Sequence, residues 1–166
     1  MKSTITNILC ATDLSKHSAY TLCHAAGLAA ATGAKLHMVH AVQPMSDDAK
    51  ITLQMFMQTT GSAETAMKAR HDYAKTIMTE RQKHFWDHVA VEDKEVQKQV
   101  ESIELVDGYP AEVILRRATE LKCDLIVLGA HEHGYSQTFL GTVAKRVLRR
   151  SSIPTLVVPY NDDANS

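Results

Sequence analysis

Apolar residues follow two different spacings along the chain. Short runs of consecutive apolar residues are typical of strands buried on both faces, and they occur at 5–11, 35–42, 103–106, 124–128 and 153–158. Helical spacing separates these runs, at 15–31, 63–88, 108–121 and 140–150, and Gly33 is predicted to follow the end of the first helix. Between the second run and the second helix, 44–62 reads as an irregular, methionine-bearing insertion. The pattern therefore predicts strands and helices in alternation.

This alternation predicts a single α/β domain over 1–160, followed by a polar tail at 161–166. We expect a doubly wound, Rossmann-like fold, with a mostly parallel sheet of five strands and helices on both faces. Sheets of this kind bind ligands beyond the carboxyl ends of the strands, where the strand order reverses. The residues expected at that edge are Ala11, Thr12 and Asp13, Val42, Gly129 and His131, and Gly141, Thr142 and Val143.

Charge and cysteine content exclude several classes of protein. The 18 Lys and Arg residues against 19 Asp and Glu residues argue against a nucleic-acid-binding protein, which needs an excess of positive charge. No apolar stretch reaches the roughly 18 residues of a membrane span. The three cysteines show no C-x-x-C spacing, which favours a reducing, cytoplasmic location. We expect Cys10 and Cys23 to pack as small apolar side chains, and any phosphate site to rely on glycines and helix-start amides.

The segment from Gly129 to Val143 carries the strongest local signal. A buried strand ends at Gly129, a polar loop follows, and Gly141-Thr142 precedes an amphipathic helix. Phosphate sites use this layout, because glycine lets the backbone approach an anion and the free amides of a helix start point at it. Lys145 or Arg146 would add positive charge. An ordinary strand–loop–helix connection explains the same residues equally well, and neither a Walker loop nor a G-x-G-x-x-G motif is present.

Asp13 follows the first strand, two residues before Ser15, where the first helix is predicted to begin. Its carboxylate would accept hydrogen bonds from a ribose or an adenine amino group, but a carboxylate at a helix start is more often a cap. His131-Glu132-His133 has the residue types of a metal site. Alternating residues do not converge on one ion, so a solvated loop is the better interpretation. For His37 and His40 we expect hydrogen-bonded, half-buried imidazoles.

Several segments, in their order and spacing, resemble the universal stress protein family. They are ILCATDLS at 8–15, LHMVHAV at 36–42, GYPAEVI at 108–114, DLIVLG at 124–129, and Gly141-Thr142 with the final apolar segment up to Pro159. The resemblance covers nearly the whole chain. It implies a homodimer formed through the last strand, at Leu156, Val157 and Val158.

In its nucleotide-binding branch, the family resemblance also implies ATP or another adenine nucleotide, with Mg²⁺, between the first and fourth strand tips. Asp13 would contact the ribose or adenine and the Val42 backbone the adenine, while Gly129, Gly141, Thr142 and Val143 would surround the phosphates. That branch usually has a second glycine three residues after the first. Here Glu132 takes that position, the extra glycine is Gly134, and the loop to Gly141 is one residue shorter.

The resulting hypothesis is a stress-response regulator or sensor that binds an adenine nucleotide. The alternative is a nucleotide-free dimer that acts through protein contacts, using the insertion with Met45, Met55, Phe56 and Met57. We expect neither a membrane nor a nucleic-acid partner. A dedicated enzyme is not predicted, because no nucleophile, general base and orienting group come together in these motifs.

Overall fold

The computed structural model describes residues 4–57, 63–89, 91–130 and 140–159. Among these residues the strands are β1 Asn7–Ala11, β2 Lys35–Val42, β3 Val100–Asp107, β4 Leu125–Gly129 and β5 Thr155–Val158. The α-helices are α1 Ser18–Thr32, α2 Asp47–Met57, α3 Ala63–His88, α4 Pro110–Glu120 and α5 Thr142–Arg150, and a 3₁₀ helix covers Val91–Gln99. No helix in the described ranges is both long and apolar enough to cross a membrane.

The described strands form one sheet in the order β3-β2-β1-β4-β5, and every pairing is parallel. The predicted doubly wound α/β fold is therefore confirmed. The chain builds outward from β1 through β2 to β3, then returns to pair β4 with the other side of β1. The strand order thus reverses between β1 and β4, and β5 is left at one edge of the sheet.

Helices cover both faces of the sheet, because the central strands are apolar at consecutive positions. Ile8 and Cys10 pack on one side in a cluster with α1 and α3, where Met78 and Trp86 of α3 are buried. Leu9, between them, packs on the opposite side in a cluster with α4 and α5. Successive strand residues point to opposite faces, so a strand between two helix layers is apolar at most consecutive positions.

Two segments differ from the sequence prediction. The insertion, predicted to be irregular, contains the helix α2. The first helix begins at Ser18 rather than Ser15. Its predicted end is confirmed, since Gly33 has a φ of 71° and its amide donates to the carbonyl of Ala29 at 2.8 Å. That left-handed conformation costs a glycine least, which is why the helix ends there.

The cysteines only partly match expectation. Cys10 is buried as predicted, whereas Cys23 is exposed, so its predicted role as a packed apolar side chain is wrong. Cys123 is also buried. Burial raises the pKa of the Cys10 thiol to about 12 and that of Cys123 to about 11. A thiol must lose its proton to act as a nucleophile, so both side chains are weak nucleophiles at neutral pH.

Candidate functional site at the carboxyl edge of the sheet

A cleft of about 1480 Å³ lies where the strand order reverses, beyond the carboxyl ends of the strands. We call it the strand-tip cleft. Most of the residues predicted for the site line it, namely Ala11, Thr12, Asp13, Val42, Gly129, Thr142 and Val143. Gly141 is the N-cap residue of α5, directly before Thr142. His131 lies outside the described residues, as do Glu132, His133 and Gly134.

The turn from β1 to α1 forms one border of the strand-tip cleft. The Thr12 hydroxyl accepts a hydrogen bond from the Leu14 amide at 3.1 Å, and Asp13 Oδ1 accepts one from the Ser15 amide at 2.9 Å. These two bonds hold Leu14 in a left-handed conformation, with a φ of 61° that is unusual for a branched side chain. Asp13 therefore stabilises a turn before the helix. The alternative interpretation of Asp13, as a helix cap, is wrong because α1 begins five residues later.

One histidine of β2 contacts this turn, and a second is hydrogen-bonded deeper in the sheet. His40 is half-buried, as expected, whereas His37 is buried. His40 Nδ1 lies 2.8 Å from the carbonyl oxygen of Thr12. Because a carbonyl only accepts, Nδ1 must carry the proton that forms this bond. His37 is 5% exposed and lies 2.8 Å from the Ser102 hydroxyl and 3.4 Å from Asn7 Oδ1. Burial lowers the pKa of His37, so the imidazole is neutral in the folded protein.

The start of α5 forms the opposite border. The Gly141 amide donates to the Ala130 carbonyl at 2.7 Å, which joins the end of β4 to the start of the helix. The Gly141 carbonyl accepts the first helical hydrogen bond, from the Lys145 amide at 3.0 Å. Within the described residues, no acceptor and no capping side chain meets the amides of Thr142, Val143 and Ala144. These three amides, rather than that of Gly141, are the ones available to an anion.

Gly129 allows α1 to approach the end of β4 closely. A Cβ atom at Gly129 would lie 3.3 Å from the Thr21 hydroxyl of α1, closer than ordinary van der Waals contact. An alanine at this position would require the Thr21 side chain to shift by a few tenths of an ångström.

The sequence analysis missed one whole wall of the cleft. Cleft-lining residues of α3 follow helical spacing at Arg70, Tyr73, Ala74, Ile77 and Arg81. Tyr73 in this stripe is 69% exposed. The spacing was visible in the sequence, but nothing in it indicated that this face meets the strand tips.

The charge of the cleft also differs from expectation. Its lining includes the four arginines 70, 81, 146 and 150 but only two acidic residues, Asp13 and Glu112, in the described part of the chain. The cleft therefore offers positive charge in addition to the glycines and helix-start amides considered in the sequence analysis, because the fold collects arginines from two helices. Across the described ranges, no group of three or more His, Cys, Asp or Glu side chains is arranged to hold a metal ion.

An all-parallel sheet whose strand order reverses at a cleft defines a doubly wound α/β protein. The model of the universal stress protein family matches residues 4–159, and the chain belongs to that family. A curated relative, the universal stress protein encoded in the QAH/OAS sulfhydrylase 3' region of Thermus aquaticus, is 32% identical over 152 residues. The match covers 91% of this chain and 96% of the relative.

Solved structures of the family share the fold. The universal stress protein UspA from Lactobacillus plantarum superposes with a TM-score of 0.68 at 20% identity, over 95% of this chain and 99% of that one. A universal stress protein solved in complex with cAMP gives a TM-score of 0.54 at 23% identity, over 95% of this chain and 98% of its own.

Proposed function

We propose that this universal stress protein is a stress-response regulator or sensor that binds ATP or another adenine nucleotide in the strand-tip cleft. The observation that carries the proposal is the start of α5, where the amides of Thr142 and Val143, without acceptors in the described residues, border the same cleft as Asp13 and Gly129. A helix start with free amides favours a phosphate group, since the helix dipole and the N–H groups both point at the anion.

In this proposal the phosphates contact the amides of Thr142, Val143 and Ala144. Asp13, with one carboxylate oxygen bound to the turn, offers the other to the ribose or the adenine amino group. The Val42 backbone borders the adenine, and its carbonyl also accepts from the Gly108 amide at 3.1 Å. The cAMP complex of a structural relative supports an adenine nucleotide as the ligand class.

We further propose that the role is binding rather than catalysis, and that the protein is a cytoplasmic homodimer. The cysteine thiols with raised pKa values offer no nucleophile at neutral pH. For the dimer, β5 pairs with β4 alone among the described strands, and Leu156 on β5 is 37% exposed. An open edge with an exposed apolar side chain suits pairing with a second copy.

A second candidate function is a nucleotide-free interaction protein. It is favoured by three exposed apolar side chains on α2 and α3, namely Ile51 at 52%, Met55 at 72% and Met67 at 57% exposure. Methionine side chains adapt to differently shaped partners, so such a group suits a protein-binding surface. This candidate requires no ligand in the strand-tip cleft.

Calorimetric titration with ATP separates the two candidates. Gly141 has a φ of −63°, which every residue adopts, so Gly141→Ala and Gly141→Glu leave the backbone unstrained. We expect wild type and Gly141→Ala to bind ATP, and Gly141→Glu to lose binding because its carboxylate repels the phosphates. Absence of heat at about 1 mM ATP, the weak end of specific binding, together with no nucleotide released from natively purified protein, contradicts the proposal.

A further inference from the structure

Two histidines lie one turn apart at the C-terminal end of α3. His84 and His88 both have exposed side chains. Their rings stack with centroids 4.1 Å apart and with planes inclined by 20°. Residues four apart on a helix share one face, which accounts for the contact between the rings. Neither residue lines the strand-tip cleft. This pair, which we call the α3 histidine pair, therefore lies outside the proposed nucleotide site.

His88 is held in the tautomer that binds a metal ion. Its Nδ1 lies 2.8 Å from the carbonyl oxygen of His84. Because a carbonyl only accepts, Nδ1 carries the proton of this bond, and the lone pair of the neutral ring is on Nε2. Histidines that bind metals typically donate one ring N–H to a backbone carbonyl, which fixes the ring and leaves the other nitrogen for the ion. The hydrogen bond therefore leaves Nε2 of His88 available as a ligand.

His84 is free to supply the second ligand. Within the described part of the chain, its side chain makes a ring contact with His88 but no hydrogen bond or ion pair. Two nitrogens that each lie about 2.0–2.1 Å from one ion are about 3 Å apart, so the stacked rings must tilt toward each other. An exposed imidazole turns easily about its last side-chain torsion, which has a broad energy minimum. His84 can therefore turn toward the ion while His88 keeps its hydrogen bond.

The charges around the α3 histidine pair also favour a cation. By helical spacing, the exposed carboxylates of Glu80 and Asp87 and the exposed guanidinium of Arg81 border the pair, which leaves one more negative than positive charge. The last turn of α3 adds the negative end of the helix dipole. No group of three or more His, Cys, Asp or Glu side chains in the described ranges is arranged to hold an ion. Water would therefore take the remaining positions around the ion.

We infer that His84 and His88 chelate one divalent transition-metal ion, with water completing its coordination. Imidazole suits Zn²⁺, Cu²⁺ and Ni²⁺, whereas Mg²⁺ and Ca²⁺ prefer oxygen ligands. Because the two ligands lie on adjacent helical turns, they converge only while the helix is folded, so the ion stabilises the last turns of α3. The inference is independent of the proposed function, since it uses no residue of the strand-tip cleft.

The test titrates the wild type, His84→Gln and His88→Gln with NiCl₂ by calorimetry at about pH 7.5, where an ordinary imidazole is neutral. The matched control is His24→Gln, because His24 is also exposed on a helix but has no histidine one turn away. We expect either pair variant to bind Ni²⁺ at least about 10-fold more weakly, since losing even a group that supports a metal ligand typically costs this much. The control should bind Ni²⁺ as the wild type does. Titration of the wild type with MgCl₂ should give no binding heat at this site.

Thermal unfolding provides a second readout. Without metal, all four proteins should unfold at nearly the same temperature, since the three substituted side chains are exposed. Added Ni²⁺ should raise the unfolding temperature of the wild type and of His24→Gln, and should raise it less in the two pair variants. A purely structural stacking role would instead lower the unfolding temperature of the pair variants equally with and without Ni²⁺, which overturns the inference.

Three outcomes of the titrations also overturn it. The first is no Ni²⁺ binding by the wild type. The second is wild-type affinity in both pair variants, which would place the ion on other side chains. The third is an equal loss of affinity in His24→Gln. None of these outcomes bears on nucleotide binding in the strand-tip cleft, which the ATP titration decides separately.

Discussion

Gly108, which joins β3 to α4, is the position where one added methyl group should do most harm. Its φ is 144°, a backbone conformation that side-chain-bearing residues rarely adopt, and an added Cβ would lie 2.8 Å from Cγ2 of Val113. Val113 is 1% exposed in the cluster beneath α4, so it has little room to move. Gly108→Ala therefore introduces both backbone strain and a steric clash.

Each of these two effects has a typical size. Placing alanine in such a backbone conformation costs about 1–3 kcal/mol, and overpacking a filled core costs about 1–3 kcal/mol. We expect Gly108→Ala to lower the free energy of unfolding by about 2–5 kcal/mol, measured by urea denaturation with circular dichroism. A double-mutant cycle separates the two, because Val113→Ala removes the clash and leaves the strain. Val113→Ala should cost less in the Gly108→Ala protein than in the wild type.

Two other glycines serve as controls, because the space around an added Cβ is open at both. Gly33 has a φ of 71° without a clash, so Gly33→Ala should cost about 1–2 kcal/mol from backbone strain alone. Gly27 lies inside α1 with an ordinary helical backbone, so Gly27→Ala should stabilise the protein by about 0.5–1 kcal/mol. If Gly108→Ala costs no more than Gly33→Ala, the clash with Val113 is not real.

Three further predictions concern charge and assembly. Asp124 Oδ2 accepts hydrogen bonds of 2.7, 2.7 and 2.9 Å from the Thr6 amide, the Thr6 hydroxyl and the Asn7 amide. These bonds lower the pKa of Asp124, so Asp124→Asn should cost about 1–2 kcal/mol at pH 7. The difference between the two proteins in the free energy of unfolding, measured by urea denaturation, should shrink as the pH falls below 3.8, the ordinary pKa of an aspartate. A constant difference across pH contradicts the charge argument. Burial lowers the pKa of His37 from its ordinary 6.5, so below that pH the unfolded chain binds a proton that the folded protein does not. The free energy of unfolding of the wild type should therefore decline below pH 6.5 more steeply than that of His37→Gln. Equal declines in the two proteins would contradict a lowered pKa for His37. Leu156→Lys should convert the proposed dimer to a monomer in size-exclusion chromatography with light scattering, and a monomeric wild type refutes the dimer.

The strands could be predicted because of how they are buried. Leu9 lies between Ile8 and Cys10 on opposite faces of the sheet, so burial on both sides leaves an uninterrupted apolar run in the sequence. Helix α2 leaves no comparable signal, since Ile51 and Met55 are exposed and, among its residues whose burial the structure describes, none is fully buried. A helix without a buried face cannot be recognised from the spacing of apolar residues.

The site could be predicted where the chemistry is local. Gly129, Thr142 and Asp13 follow or precede their strands and helices directly, and the structure places all of them at one cleft. The hydrogen-bond partners of their backbone groups could not be predicted, because those partners depend on the tertiary structure. The Gly141 amide, for example, cannot bind an anion because it already donates a hydrogen bond to the carbonyl of Ala130, eleven residues earlier.

The sequence by itself determined the family, the alternation of strands and helices, and the edge of the sheet at which a ligand would bind. It also set the net charge of −1, which suggested a cleft without a basic patch. Only the tertiary structure decided that Arg70 and Arg81 line the same cleft as Arg146, because the placement of α3 and α5 against the sheet depends on contacts between residues distant in sequence. Composition counts all charges equally, whereas the potential in a cleft falls with distance and depends on the few charges that line it. For this reason a nearly neutral chain carries a positive cleft.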